Sequence, residues 1–519
     1  MCSLSKWLPA VILGGFSVAS LAAQDCPARP VSGTVVQDPY SISSKNGVLS
    51  ANLTLAHSVD QAGYTHYCYK YNAGAQVAES PTLRVNPGDT LNLGIINRIN
   101  PSGAGNAKMN MASNSTITCA DSGEATINST NVHFHGLNIP PVCHQDDVID
   151  TLIQPGSPGF TYNVTIPATE PPGLYWYHPH VHGYTEFQVN GGAAGAIIVG
   201  GIEKYRPEVA GLTERVFVIR QQYLVPWVPG PYLLTLNYQG APFVGGVPII
   251  QMKPNEKQFW RVANATIEDF LELQFQVNGS ASPLQLIALD GYPLAQTRTQ
   301  TTILIPPAGR AEFIVQAPAS GANAVFFTNA YSTGPTGNAD LSQAIANIQL
   351  TSGSAAPAMP RAAPSAGGLK SSDLAEQAAT AQRKLFFSEE FGGTNGPAQF
   401  YITVDGQKQN VFDPDEKPVI TTHVGAVEDW TIENRALETH AFHIHQIHFQ
   451  VLEIDGKPAA DKDLRDTIEV PYWSGKGPYH SVKLRMDFRD PTIAGTFLFH
   501  CHILLHEDAG MMHKILVEP

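Results

Sequence analysis

Alternating apolar and polar positions recur along this chain in one form written three times. Val85-Asn-Pro-Gly-Asp leads to Ile96-Asn97, and Met252-Lys-Pro-Asn-Glu leads through Phe259-Trp-Arg-Val to Asn264. His423-Val-Gly-Ala-Val then leads through Trp430-Thr-Ile to Asn434. Each copy is a turn followed by the alternation of a half-buried strand. The near-equal spacing of the three asparagines predicts three homologous β-domains rather than a short-period solenoid. The expected boundaries are 24–201, ending in the strand-like Ala194-Gly-Ala-Ile-Ile-Val199, then 202–351, and finally 385–519. Residues 352–384 are rich in Ala, Pro, Gly and Ser and are expected to be a linker, with a short helix at Asp373–Arg383. Strands separated by Gly, Pro and Asn turns, with few helical patterns, give an all-β chain of β-sandwiches.

Composition agrees with that reading and narrows the function. A chain of 519 residues has room for several domains, and 39 Pro with 45 Gly suit turn-rich β-structure. A net charge of −14 excludes nucleic acid as a partner, which requires a basic footprint. Lys6, the apolar Leu8 to Leu21 and the small-x-small Ser20-Leu21-Ala22 predict a signal peptide over 1–23 and hence export to the periplasm or the extracellular space. No other stretch approaches the roughly 20 apolar residues of a membrane span. Export permits disulfides, and Cys26, Cys68, Cys119 and Cys143 allow three connectivities, of which Cys26–Cys68 and Cys119–Cys143 join near neighbours. Cys501 is left without a partner. Sequons begin at Asn52, Asn114, Asn128, Asn163, Asn264 and Asn278.

Most of the chain's 18 histidines fall in four blocks: His133-Phe-His135-Gly, His178-Pro-His180, His440-Ala-Phe-His443-Ile-His445, and His500-Cys-His502 with His506. Residues i and i+2 of a strand share a face, so each His-x-His sets two imidazoles side by side, about 6.5–7 Å apart along the strand. That suits adjacent metals. If Phe499–Ile503 is a strand, His500 and His502 point one way and Cys501 the other, which gives electrons a short bonded route between two sites. Two histidines, a thiolate and a weak axial methionine make a blue-copper site. Zinc is the rival, although closed zinc sites usually draw on paired cysteines. Between His182 and His423 there is neither histidine nor cysteine, so a transition-metal site must be built by the first and third domains together.

These blocks resemble those of the multicopper oxidases, the superfamily of laccases and cuprous oxidases, over essentially the whole mature chain. The resemblance implies three cupredoxin-like Greek-key domains and four copper ions. Type 1 copper would be held by His440, Cys501 and His506, with Met511 axial. A trinuclear cluster would take His133 and His443 at type 2 copper, and His135, His178, His180, His445, His500 and His502 at the type 3 pair. It further implies a carboxylate about ten positions after the first His-x-His, for which Asp146 is chosen over Asp147. Glu507, beside His506, is a second candidate for a proton path. His182 is expected beside the site or at the surface, His448 to be structural, Met512 to lie in the core, and Leu504 and Leu505 to pack the loop.

The implied activity is that of a laccase-like monomer. It would oxidise phenols or aromatic amines one electron at a time at type 1 copper and reduce dioxygen to water at the cluster. The alternative is a metallo-oxidase acting on Cu(I) or Fe(II). Only eight methionines occur, with none clustered beyond Met109-Asn-Met111, which weakens the cuprous reading and leaves ferroxidase open. Copper storage is disfavoured because it has no use for electronic wiring.

Overall fold

The computed structural model describes residues 26–59, 65–99, 119, 123–223, 232–240, 246–353, 370–391 and 398–519. The expected signal peptide, the Met109-Asn-Met111 pair, the Asn114 sequon and residues 354–369 of the linker lie outside the described residues. The described chain forms six β-sheets around three main cores. The first domain has two five-stranded sheets, the middle domain a seven- and a six-stranded sheet, and the third a seven- and a five-stranded sheet. These are the β-sandwiches that the repeat predicts, and the cupredoxin-like domains that the family resemblance implies.

The repeated strands Thr90–Asn97, Lys257–Ala265 and Ala426–Asn434 occupy equivalent positions. Each pairs in parallel with the preceding long strand, Val48–Val59, Thr213–Tyr223 or Ala381–Glu390. On its other side each pairs antiparallel, with Phe160–Thr165, Arg310–Gln316 or His480–Phe488. The turn ahead of each needs a positive φ, supplied by Gly88 at 88°, Asn255 at 60° and Gly425 at 94°, residue types that tolerate the left-handed region.

The terminal asparagines explain their own repetition. Asn97 donates to the carbonyls of Asn128 and Ile153, each at 2.7 Å, and accepts from the Ile99 N–H. Asn264 donates to Asp269 and Ile305 and accepts from Thr266, while Asn434 donates to Glu438 and Val470 and accepts from Ala436. All three are fully buried, so each amide satisfies backbone groups that have no water.

Inside the sandwiches, apolar alternation becomes packing. In the middle domain Trp260 is buried among Phe217, Phe275, Phe313 and Phe326, with ring centroids between 5.1 and 6.2 Å. Truncating such a residue costs about 3–5 kcal/mol. The first and middle domains meet through small residues, Ala194 and Ala196 against Ala263, Ala265 and Ala308, which lets their sheets approach closely. Val189, Ile267 and Leu504 form a small cluster drawn from all three domains.

Several local details differ from the sequence-based expectation. The short helix expected over Asp373–Arg383 is a 3-10 turn at Lys370–Glu376, and Ala381–Arg383 already belong to the strand Ala381–Glu390. Backbone pairing with the long strand Ala426–Asn434 claims those three residues. Val36 reaches past the first domain and joins the middle-domain core. Leu504 is buried as expected, but Leu505 is 51% exposed. Both disulfides, Cys26–Cys68 and Cys119–Cys143, are formed, and Cys501 is the free cysteine among the described residues.

Candidate metal centre

Strand register assembles the histidine blocks in pairs. His133–His135 runs antiparallel to Gly173–His178, with His133 opposite His178. In the third domain His440–Ile444 runs antiparallel to Gly495–Cys501, with His443 opposite His500. The strands end at His178 and Cys501, so His180 and His502 sit just beyond regular pairing. The ring centroids within each His-x-His are 5.2 to 6.0 Å apart, closer than the ideal strand repeat.

The two halves then meet face to face. His133 stacks on His445 and His135 on His443, each at 3.9 Å and 15° between planes. All eight imidazoles are buried. Their nitrogens gather into compact groups: His135 with His178 and His502, His180 with His445 and His500, and His133 with His443 and His135. Every such group takes rings from both the first and the third domain.

The chemistry of this set fits a metal better than it fits itself. His133 Nε2, His178 Nε2, His443 Nε2 and His135 Nδ1 are buried without a hydrogen-bond partner, a state that costs about 1–3 kcal/mol per atom. The opposite nitrogen of each ring is engaged, at the Asp146 carboxylate, the Pro179 carbonyl, the Asp466 carbonyl and the Asp466 carboxylate respectively. That contact fixes the tautomer and leaves a bare lone pair directed inward. His445 Nε2 lies 3.1 Å and His180 Nε2 3.4 Å from His500 Nε2, three basic nitrogens around one point. Burial lowers the pKa values of His133, His135, His178, His180, His443, His445 and His502, that of His178 to about 3 and of His180 to about 4, so these rings are neutral and able to coordinate.

On the other side of the peptide, Cys501 Sγ faces His440 Nδ1 at 3.5 Å and His506 Nδ1 at 3.9 Å. Burial pushes the Cys501 thiol far up, so the thiolate forms only with a cation beside it. The buried Met511 is tied to the same loop, its carbonyl accepting from Cys501 N–H and its N–H donating to His506. Phe400 stacks on His506 at 4.0 Å.

Both proposed carboxylates reach the histidines. Asp146 lies 3.0 Å from His133 Nδ1 and accepts from Phe134 N–H, and burial pushes its carboxyl up to about 8. Glu507 is fully buried, 3.2 Å from His500 Nδ1 and 3.6 Å from His180 Nε2. His182 sits beside the site against the Phe412 ring, and His448 is buried and bonded to the Asp290 carbonyl at 2.8 Å. Met512 packs with Val148, Phe412 and Leu498.

Sequence patterns did not indicate four further features. Gln446 follows His445 directly, holds a positive φ of 58° and donates to Asp146. It lines a cavity of about 410 Å³ that His448 also borders. Arg310 and Asp466 form a buried ion pair against His135. Glu389 and Glu438 lie 3.4 Å from His440 Nε2 and 3.7 Å from His506 Nε2.

Comparison with known proteins agrees with this geometry. Three family models, each described as multicopper oxidase, match residues 106–203, 222–352 and 391–519. The chain is 24% identical over 451 residues to the multicopper oxidase mco of Staphylococcus haemolyticus, covering 84% of this chain and 81% of that protein. It is also 24% identical to a laccase of Haloferax volcanii, over 75% of this chain and 67% of that one. Among solved structures, a multicopper oxidase of Campylobacter jejuni described as a metallo-oxidase superposes with a TM-score of 0.70 at 24% identity, covering 95% of this chain and 96% of that one. No helix among the described residues is long and apolar enough to cross a membrane. With three domain matches in chain order and the histidine blocks of two domains meeting in one buried centre, the chain belongs to the multicopper oxidase family.

Proposed function

We propose that this protein couples oxidation of a small reductant to reduction of dioxygen, with a type 1 copper that His440, Cys501, His506 and Met511 would hold and a trinuclear cluster that the other histidines would hold. His133 and His443 would hold type 2 copper, and His135, His178, His180, His445, His500 and His502 the type 3 pair. Bound copper supplies one-electron transfer at the first site and four-electron reduction of dioxygen to water at the second. The observation that carries this reading is the position of Cys501 between His500 and His502, its sulfur in the His440–His506 group and its neighbours in the cluster groups. The peptide around Cys501 is the electron path. Asp146, its carboxyl raised by burial, would hold a proton next to His133, and Glu507, its carboxyl held low by the His180 and His500 imidazoles against the effect of burial, would stand ionised beside them to accept one. One chain suffices, because both halves of the cluster come from it. Two disulfides fit an exported protein.

For the reductant, a laccase-like preference for phenols or aromatic amines is supported by large exposed apolar side chains close in sequence to the type 1 residues and to Glu389. Leu505, next to His506, is 51% exposed, and Phe391, two residues after Glu389, is 58% exposed. A second reading is supported by Glu389 and Glu438, whose carboxylates flank both type 1 histidines. Oxygen ligands suit a hard cation such as Fe(II) more than Cu(I). Steady-state kinetics of copper-loaded protein on a phenol, Fe(II) and Cu(I), with oxygen uptake, separates these readings. Phenol turnover comparable with the metals supports the laccase reading, and a large preference for a metal sinks it. Cys501→Ser is expected to abolish the blue colour and turnover together; survival of either breaks the assignment.

A further inference from the structure

The middle domain offers no histidine or cysteine, yet it reaches the cluster. Arg310, fully buried, donates from Nη1 to Asp466 Oδ1 at 2.7 Å and from Nη2 to Asp466 Oδ2 at 2.5 Å. Its own backbone N–H donates to Asp290 Oδ1 at 2.8 Å, and Asp290 Oδ2 accepts from the Asp466 and Thr467 N–H groups. Asp466 Oδ1 in turn accepts from His135 Nε2 at 3.3 Å, and the Asp466 carbonyl accepts from His443 Nδ1 at 2.8 Å. One third-domain residue thus holds two stacked imidazoles, one from each outer domain, and an arginine of the middle domain holds that residue by a two-point grip.

We propose that Arg310 is a positioning residue for the trinuclear centre: by fixing the Asp466 carboxylate it orients His135 and His443 and sets which nitrogen each ring presents to copper. His135 must carry its proton on Nε2 to bond Asp466, which commits Nδ1 to the metal. His443 must carry its proton on Nδ1, which commits Nε2. Without Arg310, the buried Asp466 carboxylate loses its two-point grip and is free to turn away. That change releases the His135 Nε2–H. The middle domain is therefore part of the metal centre without contributing a ligand. This inference rests on His135 and His443 being copper ligands.

The test uses Arg310→Met, Arg310→Lys and Asp466→Asn in the full chain, with Arg261→Met as control. Arg261 is a buried arginine paired with Glu312 in the same domain and touches no imidazole. Copper stoichiometry, the type 2 electron paramagnetic resonance signal and the blue type 1 absorption are read for each. Arg310→Met and Asp466→Asn are expected to keep the blue band, alter the type 2 hyperfine splitting and weaken retention of cluster copper roughly 10–100-fold. Arg310→Lys, which keeps the charge with one contact fewer, should fall between them and wild type. Arg261→Met should leave the type 2 signal unchanged. If Arg310→Met fails to fold, the near-isosteric Asp466→Asn decides. Variants with wild-type type 2 signals and copper retention overturn the inference while leaving the ligand assignment intact. A wild-type protein that binds only the Cys501 copper overturns both.

Discussion

Gly136, the residue that completes the His133-Phe-His135-Gly block, shows why that block ends as it does. Its φ is 89°, and a Cβ there would lie 2.7 Å from Asp466 Oδ2 and run into Arg310 Nη2 as well. The glycine is the space in which the arginine–carboxylate pair sits against His135. Gly136→Ala should therefore cost about 1–2 kcal/mol from the backbone alone, with further loss from displaced charge. Chemical denaturation of the copper-free variant reads this, and an unchanged midpoint would refute it. At this scale the candidate site residues were legible because metal chemistry allows few residue types: His133, His178, His440 and Cys501 stand out by spacing. Arg310 and Asp466 did not, because a buried ion pair between residues 156 positions apart leaves no local pattern. Glu438 carried a faint signal, standing two residues before His440.

At the level of strands, the threefold repeat was readable because a turn with positive φ and an asparagine at the strand end are both local requirements. The asparagine's role was not readable, since in each copy one carbonyl partner lies 36 to 56 residues away. Asn264→Ala removes a donor from the Asp269 and Ile305 carbonyls and an acceptor from Thr266. The expected loss is about 2 kcal/mol or more in thermal or denaturant unfolding, larger than for the exposed Asn52. A loss equal to that of Asn52→Ala would count against the shared role. The same burial closes the Asn264 sequon in the folded chain. The helix expected over Asp373–Arg383 failed for a related reason: propensity favoured a helix, while the edge of a third-domain sheet supplied a strand partner.

Across the whole molecule, burial without compensating charge sets a pH dependence. Glu170, buried between the first domain's loops, has its carboxyl pushed up to about 8 by desolvation. Burial, joined by repulsion from Glu268 on Asp269 and from Asp269 on Asp340, raises these two carboxyls of the middle domain as well. The folded state then binds more protons than the unfolded state between the ordinary Glu value of about 4.5 and about 8, so stability falls as pH rises through that window. Glu170→Gln should flatten part of the slope: its unfolding temperature, measured at about pH 5 and about pH 8, should change less than that of wild type. Equal slopes would show that Glu170 is not the source.

The stacked rows His133 on His445 and His135 on His443 also bear on the order in which the protein is made. The first-domain imidazoles emerge during synthesis hundreds of residues before their partners, and each of the three compact groups named above needs a ring from the third domain. With these rings as ligands, a half-made chain offers stray copper only partial sites. The finished fold, rather than any one motif, is what admits the metal.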